Sequence, residues 1–300
     1  MFNRYLISCK PKLEKQLSAI EVKVKMELVT FLDWFFYVVT QLGEEMFYIV
    51  ALAFVYWSFN KKLGKKLAIV VLTSLWINGF FKFLLKLPRP PKSVQKIEAS
   101  GYGFPSGHAQ GSTTLWGYLS LKIKKNWFYL FSAILIAMIS YSRIYLQVHY
   151  IQDIIGGFLL GVATLIAFEY IDRKSTSHLS SVSFLQKLAI PAIFTLILVS
   201  VPYILFSSSD DIAGMIVIAG AFFGITEGFI IEEEKVKLND PTTTKSRIIR
   251  FLIGLTIVIP IMIALRQVLS ESLTSVFLLY TIIGLLMGLV VPYIFKKLEL

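Results

Sequence analysis

The 300-residue chain alternates long apolar blocks with short polar stretches. The blocks fall at about 28–42, 46–59, 67–87, 107–121, 127–142, 150–170, 187–207, 212–231, 249–268 and 273–295. Many approach the ~20 residues a helix needs to cross a bilayer. They are continuous, whereas a membrane barrel would show short alternating segments. The pattern therefore predicts an all-α polytopic membrane protein. The first block is short and contains Asp33. If it crosses, ten segments result and both termini lie on one side. If it lies in the interface, the count is nine and the N-terminus moves to the other side.

The polar stretches divide by charge. "NKKLGKK" (60–66), "KIKKN" (122–126), "DRKSTS" (172–177), "EEEKVKLNDPTTTKSR" (232–247) and the tail "FKKLEL" carry Lys or Arg. "GEE" (43–45), "SSSDD" (207–211) and "SES" (270–272) carry none. The bias in short loops places the first set in the cytoplasm. The sizeable outer loop, "PRPPKSVQKIEASGYGFPS" (88–106), is too rich in Pro, Gly and Ser to be a helix.

Composition agrees: 56% of residues are apolar, 16% are charged and the mean hydropathy is +0.69. A net charge of +11 is read as cytoplasmic lysine facing anionic lipid, not as a nucleic-acid surface. The start of the chain lacks the apolar core and small-residue cleavage site of a signal peptide. Residues 1–27 read as a basic cytoplasmic or interfacial segment, 28–172 as a catalytic core, 173–186 as a cytoplasmic linker and 187–300 as a four-helix transmembrane extension. The lone Cys9 allows no internal disulfide. His178, in the linker, reads as solvated. No internal repeat supports an inverted-repeat transporter. In the extension, Gly220, Gly224 and Gly228 recur every four residues, with Gly284 and Gly288 further on. Such small residues let helices pack closely, here read as packing within the chain. Glu227, near the cytoplasmic end of its span, reads as a snorkelling side chain.

Three clusters carry the candidate chemistry, all at one predicted face. Lys82 precedes Arg89-Pro90 by six intervening residues. A lysine in hydrocarbon costs roughly 2.5–3.5 kcal/mol on insertion scales, so it is functional or paired unless it snorkels. In Pro105-Ser106-Gly107-His108, Ser106 is a natural N-cap and Gly107 lets an anion approach the backbone. A helix start also offers free N–H groups to a phosphate, although a plain capped turn fits this stretch as well. In "SRIYLQVHYIQD", Arg143 is followed by His149 and Asp153. Asp153 sits one turn beyond His149 if a helix begins there. A carboxylate so placed holds an imidazole in one tautomer, or forms an ordinary helix-end pair. Cations and N–H donors around histidines suit phosphate, and no zinc spacing is present.

Taken together, K-x6-R-P, P-S-G-H and S-R-x5-H-x3-D, in that order, resemble the signature of the type 2 phosphatidic acid phosphatase (PAP2, or lipid phosphate phosphatase) family. The resemblance covers about 28–172 and implies a six-helix PAP2-like core. It implies that His149 attacks phosphorus, that Asp153 orients it, and that His108 protonates the leaving alkoxide and then activates water. Lys82, Arg89, Ser106, Gly107 and Arg143 would bind the phosphoryl group, with no metal. The expected substrate is a lipid phosphate or pyrophosphate reached from the outer membrane face. The same pocket resembles that of the soluble vanadium haloperoxidases, which the apolar blocks argue against. Glucose-6-phosphatase, with a soluble substrate, is a more distant likeness. A phosphotransferase passing the group to a lipid alcohol, and a transporter or scaffold with an inactive core, are the other functional readings. Oligomeric state is left open.

Overall fold

The computed structural model describes residues 29–175, 182–206, 209–270 and 272–300. His178, Cys9 and the 1–27 segment lie outside them. Ten helices follow in order: α1 (Val29–Gln41), α2 (Glu45–Phe59), α3 (Lys61–Leu85), α4 (Gly107–Ile123), α5 (Asn126–Tyr145), α6 (Ile151–Ser175), α7 (Phe184–Leu205), α8 (Ser209–Ile231), α9 (Thr244–Val268) and α10 (Leu273–Lys297). No strand occurs among the described residues. Helices α1–α6 form the core and α7–α10 the extension.

Among the described residues, seven helices are long and apolar enough to cross a bilayer, or eight if α1 and α2 count as one broken span bent by 53°. The first block, left open between crossing and lying in the interface, thus passes the length test only together with α2. Asp33 Oδ1 accepts from Lys96 Nζ at 2.7 Å and from the Tyr145 hydroxyl at 2.9 Å. Further along α1, Thr40 Oγ1 accepts from Arg143 at 2.6 Å. Arg143 and Tyr145 share one end of α5. Asp33 and Thr40 therefore both hold α1 against the same end of α5. At 17 residues, α4 is also too short for the length criterion. Its polar run Gln110, Ser112, Thr113 and Thr114 is wholly buried against protein.

Helix starts follow local chemistry. Asn60 Oδ1 caps α3 by accepting from Leu63 N at 2.7 Å, so Lys61–Lys66 belong to the helix and not to a loop. The lysines stay at the basic face through partners. Lys61 and Lys65 reach Glu232 at 3.0 and 3.1 Å, and Lys66 reaches Asp172 at 2.6 Å. In the sequence Glu232 opens the polar connecting stretch 232–247. The structure instead continues the helix through Glu232–Val236 in a π turn and buries the carboxylate completely. A buried charge costs several kcal/mol unless paired, and Leu238 N adds a third donor at 2.9 Å. Glu227 Oε1 is also enclosed, while the residue as a whole stays partly exposed.

The extension is fused to the core. Leu52, Tyr56, Trp57 and Val71 of the core share one apolar cluster with Ile225, Val258, Ile283 and Met287 of the extension. The glycine series forms the α8–α10 seam. A Cβ at Gly224 would strike the Thr281 carbonyl, and one at Gly228 would come within 3.0 Å of Gly288 Cα. Gly224→Leu should therefore lower the melting temperature in detergent, by about 1–3 kcal/mol of stability for overpacking a tight contact. Gly214→Ala, whose Cβ meets nothing within 4 Å, should leave it unchanged. Equal melting temperatures for the two variants would contradict the seam.

Candidate active site

The loop 88–106 brings the three motifs together. Lys86 turns left-handed (φ 49°) and ends α3, ahead of Pro88 and Pro90. The chain then returns across the helix ends. Gly103 N donates to Leu87 O at 2.8 Å, and Lys96 N to Leu146 O at 3.0 Å. Lys82 lies in the last turn of α3, closer to the end than the apolar block suggested. Its ammonium donates to Tyr102 O at 2.8 Å and Gly103 O at 3.3 Å. It is thus paired with loop carbonyls rather than extended to the interface.

Ser106 caps α4 as expected, its hydroxyl oxygen accepting from Ala109 N at 3.4 Å. A polar network stands behind this turn. Asn78 donates to Gln110 Oε1 at 2.9 Å and to Pro105 O at 3.3 Å, and Gln110 donates to Ser74 O at 2.7 Å. Buried polar groups must be satisfied, and these three fix the α4 start against α3. The sequence signal for them was the polar run inside an apolar block. Gly107 packs with its α-carbon edge on Asn78, where a Cβ would come within 3.2 Å of Oδ1.

His149 precedes α6, which begins at Ile151 and not at the histidine. The pairing survives the change. His149 Nδ1 and Asp153 Oδ2 are 3.1 Å apart, and both residues are buried. The same oxygen accepts from Tyr150 N at 2.9 Å, so Asp153 also fastens the helix start. With Nδ1–H assigned to the carboxylate, Nε2 presents its lone pair. Arg89 Nη1 stands 2.8 Å from that Nε2 and also donates to Val148 O at 3.0 Å. Burial holds the His149 imidazole well below the ordinary histidine pKa. Asp153 opposes the shift, while Arg89, Lys82 and Arg143 reinforce it. Three cations thus surround one neutral imidazole.

His108, on α4, sits under the α1–α2 break. A Cβ at Gly43 would overlap its ring. Glu44 Oε1 is 3.2 Å from His108 Nε2, at ion-pair distance. Arg143 reaches Thr40 through Nη1, while its buried Nε has no partner among the described residues. Gly43, Glu44 and Thr40 were not recognisable as site residues from their own short, unremarkable stretch. Lys82, Arg89, Gly107 and His108 line one end of a cavity of about 810 Å³. Every site residue read from the three motifs therefore lies at this one end of the helices.

Two family models match in chain order: PAP2 superfamily over residues 63–177, and PAP2 superfamily phosphatase, transmembrane extension, over 216–300. The chain belongs to the PAP2 superfamily. Sphingosine-1-phosphate phosphatase 2 of Mus musculus is 30% identical over 220 residues, covering 67% of this chain and 59% of that protein. Sphingosine-1-phosphate phosphatase 1 of Rattus norvegicus is 33% identical over 139 residues, 43% of this chain and 32% of that protein. Lipid A 4'-phosphatase of Porphyromonas gingivalis is 33% identical over 149 residues, 44% of this chain and 62% of that protein. The chain thus spans less than two thirds of the length of each of these relatives.

The His149 environment makes a spectroscopic prediction. An ordinary histidine titrates near pH 6.5. In the free protein, the His149 imidazole signal, identified by its loss in His149→Gln, should stay neutral from about pH 8 to 6, with its proton on Nδ1. A titration midpoint near the ordinary value would contradict the burial argument.

Proposed function

We propose that this protein is an integral membrane phosphatase that hydrolyses a lipid phosphate or pyrophosphate through a phosphohistidine on His149. The observation that carries the proposal is the held imidazole: Nδ1 on Asp153, Nε2 beside Arg89. On substrate binding, the Arg89 donor passes from Nε2 to a phosphoryl oxygen and frees the lone pair. Nε2 attacks phosphorus as the P–O bond to the lipid breaks. His108, entering as the imidazolium beside Glu44, gives its proton to the leaving oxygen. Water then attacks the phosphohistidine, His108 takes the water proton, and inorganic phosphate leaves. Lys82, Arg89, Arg143 and the N–H groups at Ser106–Gly107 offset the charge on the phosphoryl oxygens. Phosphoryl transfer is chiefly positioning and electrostatics, which these groups supply without a metal.

The lipid nature of the substrate is supported by the site's place at helix ends and by relatives named for lipid phosphates. The basic ends of α3, α4, α6 and α10 lie opposite the site, and the positive-inside bias supports the reading that the site faces the extracytoplasmic side of a cell membrane. The lysines there face anionic lipid. By this reading the catalytic unit ends near residue 172, and 187–300 is an added transmembrane unit.

Phosphate release from a panel of lipid phosphates in mixed micelles tests the proposal. Release should continue in EDTA and vanish in His149→Ala. His108→Gln should slow it by about 100- to 10,000-fold, the usual worth of general acid–base catalysis. A phosphorylated lipid acceptor in place of free phosphate would show transfer instead of hydrolysis. Activity that survives His149→Ala would contradict the mechanism.

A further inference from the structure

The cavity that starts at Lys82, Arg89 and His108 does not end there. Below the cationic end its walls are apolar, and half of them come from the extension. On α8 the lining residues are Gly214, Val217, Ile218, Ala221 and Ile225, spaced to fall on one helix face. On α10 they are Ile283 and Met287, one turn apart on the same side. Leu52, Val71 and Leu75 close the core side. From Gly214 to Ile225 the cavity follows α8 for about 16 Å, at 1.5 Å per residue. This is about half of the ~30 Å hydrocarbon thickness, the depth of one leaflet. The volume of about 810 Å³ falls within the range of ligand pockets, about 300–1,000 Å³.

The walls are held in place at the rim. Glu45 Oε1, beside the α1–α2 break, accepts from Arg266 of α9 at 2.6 Å and from the Tyr280 hydroxyl of α10 at 2.9 Å. Glu45 and Tyr280 both line the cavity. A space with cations at one end and a leaflet-deep apolar wall below matches an amphiphile whose head is a phosphate.

Resting on the phosphatase reading, we propose that α8 and α10 form the slot for one hydrocarbon chain of the substrate. The transmembrane extension is then part of the substrate-binding site, and it selects long-chain lipid phosphates over water-soluble ones. The chain lies along the α8 face, which sets the phosphate at the cationic end formed by Lys82, Arg89 and His108.

Two measurements test this. In the first, Gly214→Leu and Ile218→Phe are compared with wild type on octadecyl phosphate in mixed micelles and on phenyl phosphate in solution. A Cβ at Gly214 meets nothing within 4 Å, so the added side chain enters open space. The kcat/KM for octadecyl phosphate should fall about tenfold or more, while that for phenyl phosphate stays within roughly twofold. Micelle partitioning is common to all three proteins and cancels. Retained phenyl phosphate activity shows that the variants fold. Unchanged octadecyl phosphate turnover in variants that keep phenyl phosphate activity would overturn the slot. The second measurement uses wild type alone, so it stands if the variants fail to fold. A long-chain alkyl phosphonate with a photoreactive group at its chain end should label α8 or α10, and excess octadecyl phosphate should prevent the labelling. Competed labelling confined to α5 or α6 would overturn the slot. Wild type inactive on every phosphate would overturn the phosphatase reading instead.

Discussion

Asp153 ties the site together. Its carboxylate holds His149 Nδ1 and the first amide of the turn into α6. Its own carbonyl accepts from Ser106 N at 2.9 Å, at the start of α4. One residue thus sets the imidazole, the helix that follows it and the turn that starts α4. The carboxylate is 1% exposed, and a charge so buried is tolerated only with donors around it. Here the donors are the groups whose positions it fixes. Gly157 allows the approach, because a Cβ there would overlap Ser106 O.

Around this anchor the cations are distributed over separate elements: Lys82 on α3, Arg89 in the loop, Arg143 on α5. Each is held by a neutral oxygen, so its charge stays available to an anion. Lys82 and Arg89 bond to loop carbonyls and Arg143 to the Thr40 hydroxyl. Had carboxylates held them, the phosphate would compete with fixed negative charge. The exception is informative. Glu44 stands beside His108, the residue proposed to carry a proton rather than bind a phosphoryl oxygen.

Much of this was legible in the sequence. The apolar blocks located the long helices, and the three motifs located the side chains that meet at the candidate site, because hydrocarbon leaves few reasons for a lysine or a paired histidine. The glycine spacing foretold the α8–α10 seam. What could not be read was set by tertiary contact. Nothing in the first block says that Asp33 and Thr40 meet the same end of α5, so its placement was open. Glu232 looks like part of a charged loop, and only the approach of Lys61 and Lys65 makes it a buried joint. His149 lies before its helix because Asp153 caps the turn itself, an arrangement that residue spacing leaves undetermined.

The central claim is that His149 Nε2 forms a bond to phosphorus. The direct measurement is rapid quenching during turnover of a radiolabelled lipid phosphate, followed by mapping of the label. The account predicts a protein-bound phosphate that is labile in acid and stable in base, on the peptide carrying His149, and longer-lived in His108→Gln. A label on another residue, or full turnover with none trapped in either protein, would contradict it.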